Sequence, residues 1–309
     1  MNISQTLKFF RTKKKFKQGQ AKPKTMDQSA YSRIEQNTRP ISTDELSEIL
    51  DNISVTPSEF FSFAEYNKKQ TDFKNLFFSY ASDLENDSLK QELLAYYKLF
   101  KADKHVNLRY LANYTTIVLY FKDKLKEVSP LTKKDLELVY TTLNKKKFYS
   151  FYDYQILANS IVSLHPAIAE SILTQMIPID YENQRDSATF VQAQGAISNI
   201  ISVCIYSNMN KRARRYITIA KQLETPDNPN QARIDIYYLE NLLNYLETGE
   251  NQYLNRIEQY KDMLKEIGAT EHLKNVEEEI RLLTFEKQPQ KLLHKFGIGL
   301  YKSSKSDSE

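Results

Sequence analysis

The densest chemical signal in the chain is cationic. The run Arg11-Thr-Lys-Lys-Lys-Phe-Lys17 stands in a stretch whose first 24 residues hold eight Lys or Arg and no acid, although the whole chain carries only +4. Clustered cations attract polyanions and release their counterions, so the run is a candidate phosphate-binding surface; a solvated helix end is the alternative. Other reactive groups are scattered. Cys204 stands alone within the apolar run Ile200–Tyr206, as a small buried hydrophobe does, and no disulfide framework or cysteine-rich zinc site can be built around it. His105, His165, His272 and His294 lie far apart and lack HExxH spacing, so no metal or other cofactor is expected. The densest carboxylates, Glu277-Glu278-Glu279 and Asp44-Glu45, have no histidine partner in sequence and suit exposed helix faces. Neither GxGxxG, GxxxxGK[ST] nor GxSxG occurs, which removes nucleotide-loop and hydrolase chemistry. No enzyme is expected.

The elements that must position these residues are helical. Only six glycines occur, none between Gly19 and Gly195, while Leu, Lys, Glu, Gln and Ala are frequent; the fold class is all-α. The first 65 residues read as short helices. Ile3, Leu7, Phe9 and Phe10 share a face that ends in the lysine run. Asp27 is placed to cap a helix whose inward face is Tyr31 and Ile34, ended by Gln36-Asn37. Thr43 opens the next, with Leu46, Ile49, Leu50 and Ile53 as its stripe, and Ser54-Val-Thr-Pro57 breaks it before a last helix at Ser58. Helices this short must pack as one unit.

Residues 70 to 300 repeat amphipathic patterns separated by short polar turns. Eleven helices are expected there, among them one over Val106–Val128 and a last one over Glu271–Thr284. The pairs Phe148–Met176, Arg185–Leu223 and Gln231–Ile267 are of the roughly 35–45-residue size of a helical-repeat unit, so a right-handed tetratricopeptide-like solenoid is predicted. No apolar stretch reaches the ~20 residues of a membrane span, and no apolar segment follows the charged start as in a secretion signal. The expectation is a cytoplasmic protein that does not engage a membrane.

Four segments carry a resemblance. Arg11-x-x-Lys14-x-Phe16-x-Gln18, Ser29-Ala-Tyr-Ser32-Arg33-Ile34-Glu35, Ile41-Ser-x-x-x-Leu46 and Val55-x-x-x-Glu59-Phe60-Phe61 resemble a repressor-type helix-turn-helix. Gly19–Lys24 departs from its second helix by carrying Pro23, so a shortened or distorted helix is expected there. Followed by the helical array, with Phe151-x-x-Tyr154-x-x-Leu157-x-Asn159, Ile197-x-Asn199-x-Ile201 and the turn Leu246-x-x-Gly249, the chain is similar throughout to the Rgg/GadR/MutR family of transcriptional regulators.

The resemblance implies a DNA-binding domain over 1–65 and a peptide-binding and dimerisation domain over 66–300; the tail over 301–309, without an apolar residue from Ser303 on, is expected to be disordered. A recognition helix from Asp27 would offer Gln28, Ser29 and Arg33 to base edges. Lys14, Lys17, Gln18 and Arg39 would hold phosphates, on a palindromic or pseudo-palindromic duplex bound by a homodimer. In such regulators the repeat domain receives a short secreted peptide. A concave solenoid face suits that, and Asn159 and Asn199 could clamp peptide amides, flanked by Gln155, Arg185 and Gln192, with Tyr152, Tyr154 and Phe190 as aromatic lining; the alternative is that each Asn caps or tethers a neighbouring helix within the core and that the aromatics are ordinary core. The cluster Lys211-Arg212-Ala-Arg214-Arg215 is expected to be solvated or paired with acids of a neighbouring repeat. The competing reading is a helical-repeat interaction adaptor whose N-terminal module has degenerated, with Pro23 as its argument.

Overall fold

The computed structural model describes residues 1–223 and 229–296; the predicted polar tail, 301–309, lies outside the described residues. Among these residues all regular structure is helical, and the chain separates into two compact units, one over Met1–Tyr96 and one from Tyr97 onward.

The first unit holds α1 (Ile3–Lys13), α2 (Gln18–Ala21), α3 (Gln28–Glu35), α4 (Thr43–Asn52), α5 (Pro57–Phe63), α6 (Lys68–Ser82) and the start of α7 (Asp87–Asp103). It therefore runs past residue 65 to take in a further helix. Local chemistry sets the helix ends. Asp27 accepts from the Ala30 amide, Ser42 and Glu45 cap α4 reciprocally, and Thr56 caps α5 with Pro57 in its first turn. Asn37 and Ser54 take left-handed backbone just past α3 and α4, the conformation that turns a chain out of a helix. Lys22 is already extended, as the residue before a proline must be; α2 is a single turn, the shortening anticipated from Pro23. Leu7, Tyr31, Ile34, Ile49, Ile53 and Phe60 form a fully enclosed core, each contributing about 1.5–3 kcal/mol of burial.

The second unit continues through α8 (Leu108–Phe121), α9 (Lys133–Leu143), α10 (Phe151–Ser160), α11 (Pro166–Met176), α12 (Ser187–Tyr206), α13 (Asn210–Gln222), α14 (Pro229–Thr248), α15 (Asn251–Glu266), α16 (Thr270–Ile280) and α17 (Pro289–Phe296). A wide π turn at Arg281–Phe285 joins the last two. Alternate helices α8, α10, α12 and α14 pack side by side as one layer, each followed by a helix of the opposite layer. Gly249, left-handed, ends α14 as the Leu246-x-x-Gly249 turn requires.

Three expectations are corrected here. The helix expected over Val106–Val128 stops at Phe121; the turn that follows tucks Leu125 and Val128 into the core, which extended the apolar pattern past the helix. A seventeenth helix, α17, opens at Pro289 where no helix was anticipated. Helix α12 is, by length and composition, apolar enough to cross a membrane. Its apolar residues are shared among α10, α11, α13, α14 and α17, which makes it the core helix of the array.

Candidate functional site

Helix α3 is only two turns long, and its orientation depends on one buried ion pair. Arg11 on α1 donates from Nε to Glu35 Oε1 at 2.5 Å and from Nη2 to Oε2 at 2.9 Å. Gln18, the first residue of α2, donates to the same carboxylate at 3.0 Å, and Arg11 Nη1 reaches the Phe16 carbonyl at 3.0 Å. Burial pushes the Glu35 carboxyl upward, but the hydrogen bonds from Arg11 and Gln18 outweigh it and hold the group below its ordinary value. Glu35 thus fixes α1, α2 and α3 together. Arg11 is consequently no part of the cationic surface that the sequence suggested, because its planar fork is turned inward onto a carboxylate.

The opposite face of α3 is open. Gln28, Ser29 and Arg33 are exposed, and among the described residues no hydrogen bond holds the Gln28 or Arg33 side chain. Ser29 donates its hydroxyl to Asp27 at 2.7 Å, which leaves its lone pairs for a donor and holds the Asp27 carboxyl below its usual range. Lys13, Lys14, Lys15, Lys17 and Lys24 are exposed around the short α2. Lys14 reaches the Ser54 carbonyl at 2.7 Å; Lys17 is unengaged among the described residues. Of the other two phosphate candidates, Gln18 is held by Glu35, and Arg39 pairs with Glu45 at 2.7 Å.

In the second unit the candidate peptide-facing amides form a ladder between helices. Asn199 on α12 donates to the Ala158 carbonyl of α10 at 2.8 Å. Asn159 on α10 donates to Thr116 of α8 at 2.8 Å, and Gln155 to the same hydroxyl at 3.2 Å. Each amide nitrogen is therefore engaged across the layer, and carbonyl oxygens remain; Gln155 Oε1 is buried without a hydrogen-bond partner. Gln192 and Tyr152 are half-buried, with the Arg109 guanidinium 5.7 Å from the Tyr152 ring centre. Arg185 stands apart from this ladder: its Nε donates to the Asp180 carbonyl at 2.8 Å and its guanidinium lies 4.0 Å over Phe148. Tyr154 and Phe190 are not lining. Both are fully buried, and Tyr154 donates to the Met176 carbonyl at 2.8 Å, so they belong to the core.

The arginine cluster pairs with neighbouring repeats. Arg212 and Arg215 meet Glu170 of α11 at 3.1 and 3.7 Å, and Arg214 meets Glu247 of α14. Cys204 is buried and its thiol is pushed up to about 12 by burial, which makes it chemically quiet. Glu279, expected on an exposed face, is instead enclosed: Tyr206 and Tyr238 donate to it at 2.5 and 2.6 Å. Burial pushes its carboxyl up despite these two donors. Its three-residue spacing from Val276 puts it beside the apolar face of α16, a signal that a run of three glutamates hid. Among the described residues no group of three His, Cys, Asp or Glu side chains could hold a metal ion.

No family model and no curated protein matches the chain. Solved structures do. A bacterial peptide pheromone receptor, solved as a pheromone/receptor complex with its mechanism of gene regulation, superposes with TM-score 0.74 at 20% identity, over 92% of this chain and 98% of its own. The PrgX/cCF10 complex follows at 0.73, with 21% identity and 90% of each chain covered. The SHP pheromone receptor Rgg2 of Streptococcus dysgalactiae superposes at 0.70, with 15% identity over 90% of this chain and 98% of its own. The all-α helical-repeat fold of these receptors is the fold of this chain, in agreement with the architecture that the Rgg/GadR/MutR resemblance implied.

Proposed function

We propose that this chain is a DNA-binding transcriptional regulator controlled by a short peptide held on its repeat unit. The observation that carries the reading is the α3 surface: Gln28, Ser29 and Arg33 stand exposed at the end of a helix locked by Glu35, beside a belt of five exposed lysines. Gln pairs bidentately with adenine and Arg with guanine, and Ser29, with its proton given to Asp27, accepts from the amino group of adenine or cytosine. One module makes too few contacts for tight binding, so a homodimer on two half-sites about one helical turn apart follows. The likeness in fold to peptide pheromone receptors supports the second half of the reading. The peptide would lie against α8, α10 and α12, where the amide oxygens of Asn159 and Asn199 would accept from peptide N–H groups. Such a regulator works in the cytoplasm, without enzymatic chemistry.

The adaptor reading keeps one specific support, the single-turn α2 before Pro23. A gel-shift screen of the genomic region around the gene, run at several salt concentrations, separates the two. A regulator retains a discrete fragment whose affinity falls steeply with salt, and an inducing peptide changes that affinity by the linkage between the two sites. An adaptor retains no fragment even at low salt.

A further inference from the structure

Helix α16 meets the array through three polar side chains. Its buried residues are only Val276, Glu279 and Ile280. Glu279, 8% exposed, lies 2.5 Å from the hydroxyl of Tyr206 at the end of α12 and 2.6 Å from that of Tyr238 on α14. Two turns earlier, Glu271 accepts from Tyr120 at the end of α8 at 2.9 Å and pairs with Lys124. His272 meets the Tyr260 hydroxyl of α15 at 2.8 Å, and that hydroxyl donates to Asp235 of α14. Glu271 and Glu279 thus tie one helix to the ends of α8 and α12, the two helices that flank α10. Helix α16 is a brace across the layer that carries Asn159 and Asn199.

We propose that Glu279 is the proton-operated catch of this brace: protonated, it keeps α16 seated and the span from α8 to α12 fixed, and loss of the proton to water releases both. Among the described residues no cation pairs with the carboxyl. The groups that face it are Tyr206 from α12 and Tyr238 from α14, with Tyr260 of α15 stacked behind Tyr238 at 4.8 Å and turned to Asp235 and His272. The neighbouring cations are engaged elsewhere, Arg281 and Lys291 with Glu286 and Lys124 with Glu271. Enclosing a carboxylate without a cation costs more than two hydroxyl donors return, so burial holds the group above its ordinary 4.5. The neutral acid is fully satisfied. Its O–H can donate to Tyr206, whose own proton passes to Ser202 one turn back on α12, while Tyr238 donates to the second oxygen. When α16 lifts, the carboxyl meets water, regains its ordinary value and ionises. Seating is therefore at full strength below 4.5 and weakens as pH rises toward the seated-state value. The π turn Arg281–Phe285 directly behind the catch gives the helix a place to bend. The catch rests on the peptide reading only for the face that the brace would act on, and its test uses no peptide.

Hydrogen exchange read by mass spectrometry, corrected for the intrinsic rate, is followed on the full chain from about pH 5 to about pH 8 for the parent, Glu279→Gln, Glu279→Met and His272→Gln. One proton released on opening makes the protection of α16 amides in the parent fall by up to about tenfold per pH unit, while α10 keeps its protection. Both neutral replacements should give a flat profile, because neither has a proton to lose, and His272→Gln should keep the parental slope. Glu271, held below its ordinary value by Lys124, adds no slope in this window. The span is read as the distance between nitroxides on Asp123→Cys and Ser207→Cys, just past the ends of α8 and α12; the one native cysteine, Cys204, is buried. The parental distance distribution should broaden as pH rises, and that of Glu279→Gln should stay narrow. A slope that survives in both replacements, a flat parent, or a slope lost in His272→Gln overturns the proposal. So does a fall shared equally by α10, which is global unfolding, and so does a span that stays narrow while α16 loses protection, which denies the brace. If only one replacement folds, its profile decides.

Discussion

Replacing Glu35 by alanine should unlock the DNA-reading module from within. The carboxylate accepts two bonds from Arg11 and one from Gln18, with side chains 3% exposed for Glu35 and 12% for Arg11. Breaking a buried pair costs about 3–5 kcal/mol because the surviving charge stays desolvated. Arg11 retains some access to water, so about 2–4 kcal/mol is expected. At about 0.05–0.15 kcal/mol per residue, that is a large fraction of the stability of a unit spanning Met1–Tyr96. Hydrogen exchange read by mass spectrometry localises the effect: amides of α1 and α3 should lose protection by that free energy, and those of α12 should not change. The double variant Arg11→Met/Glu35→Leu should recover most of the loss, since an apolar pair needs no desolvation. Acid should mimic the single variant. The Glu35 carboxyl is held below its ordinary 4.5, so its contribution is complete above that value and disappears as pH falls through the folded-state value. Protection of α1 and α3 that drops by less than about 0.5 kcal/mol in Glu35→Ala would refute the lock.

Glu279→Gln tests the opposite sign: burial holds this carboxyl above its ordinary 4.5, so its contribution is present at low pH and is lost as pH rises through the folded-state value. The amide should remove that decline and raise the melting temperature relative to the parent at pH 8, measured by circular dichroism; a parallel decline in both proteins contradicts it. Gly195→Ala should stabilise by about 0.5–1 kcal/mol, since the new Cβ would meet only Ala158 Cβ at 3.9 Å in the interior of α12; a lowered urea midpoint would show that α10 and α12 cannot accept it. Thr116→Val removes the hydroxyl that accepts from both Asn159 and Gln155 and should cost about 1–3 kcal/mol; an unchanged midpoint would mean that the ladder contributes nothing.

Much of this molecule was legible in the sequence because its information is local. Asp27, Thr56-Pro57 and the Tyr31/Ile34 stripe mark helix ends and faces by spacing alone, and Pro23 marked α2 for shortening or distortion, which the structure resolves as a single turn. What stayed hidden is what two distant segments decide together. Arg11 and Glu35 lie 24 residues apart, and nothing in either neighbourhood distinguishes them from solvated charges, so a structural pair was read as surface. Tyr154 and Phe190 carry no local mark that separates core from groove. Asn159 and Asn199 were recognisable as polar residues within apolar helices, but their use as ties to α8 and α10 depends on which helices become neighbours. Glu279 carried one local mark, its three-residue spacing from Val276, but its enclosure depends on packing against Tyr206 and Tyr238, which lie far off in the chain.

The most direct measurement is fluorescence anisotropy on a duplex recovered from the genomic screen, with Gln28→Ala and Lys14→Ala compared against the parent at several salt concentrations. If α3 reads bases and the lysine belt holds phosphates, Gln28→Ala should lose about 1–3 kcal/mol of preference at a single base pair and keep its salt slope. Lys14→Ala should weaken every sequence about equally and flatten the slope by about one. Binding blind to sequence and unchanged by Gln28→Ala would contradict the account, because the exposed face of α3 would then carry no readout.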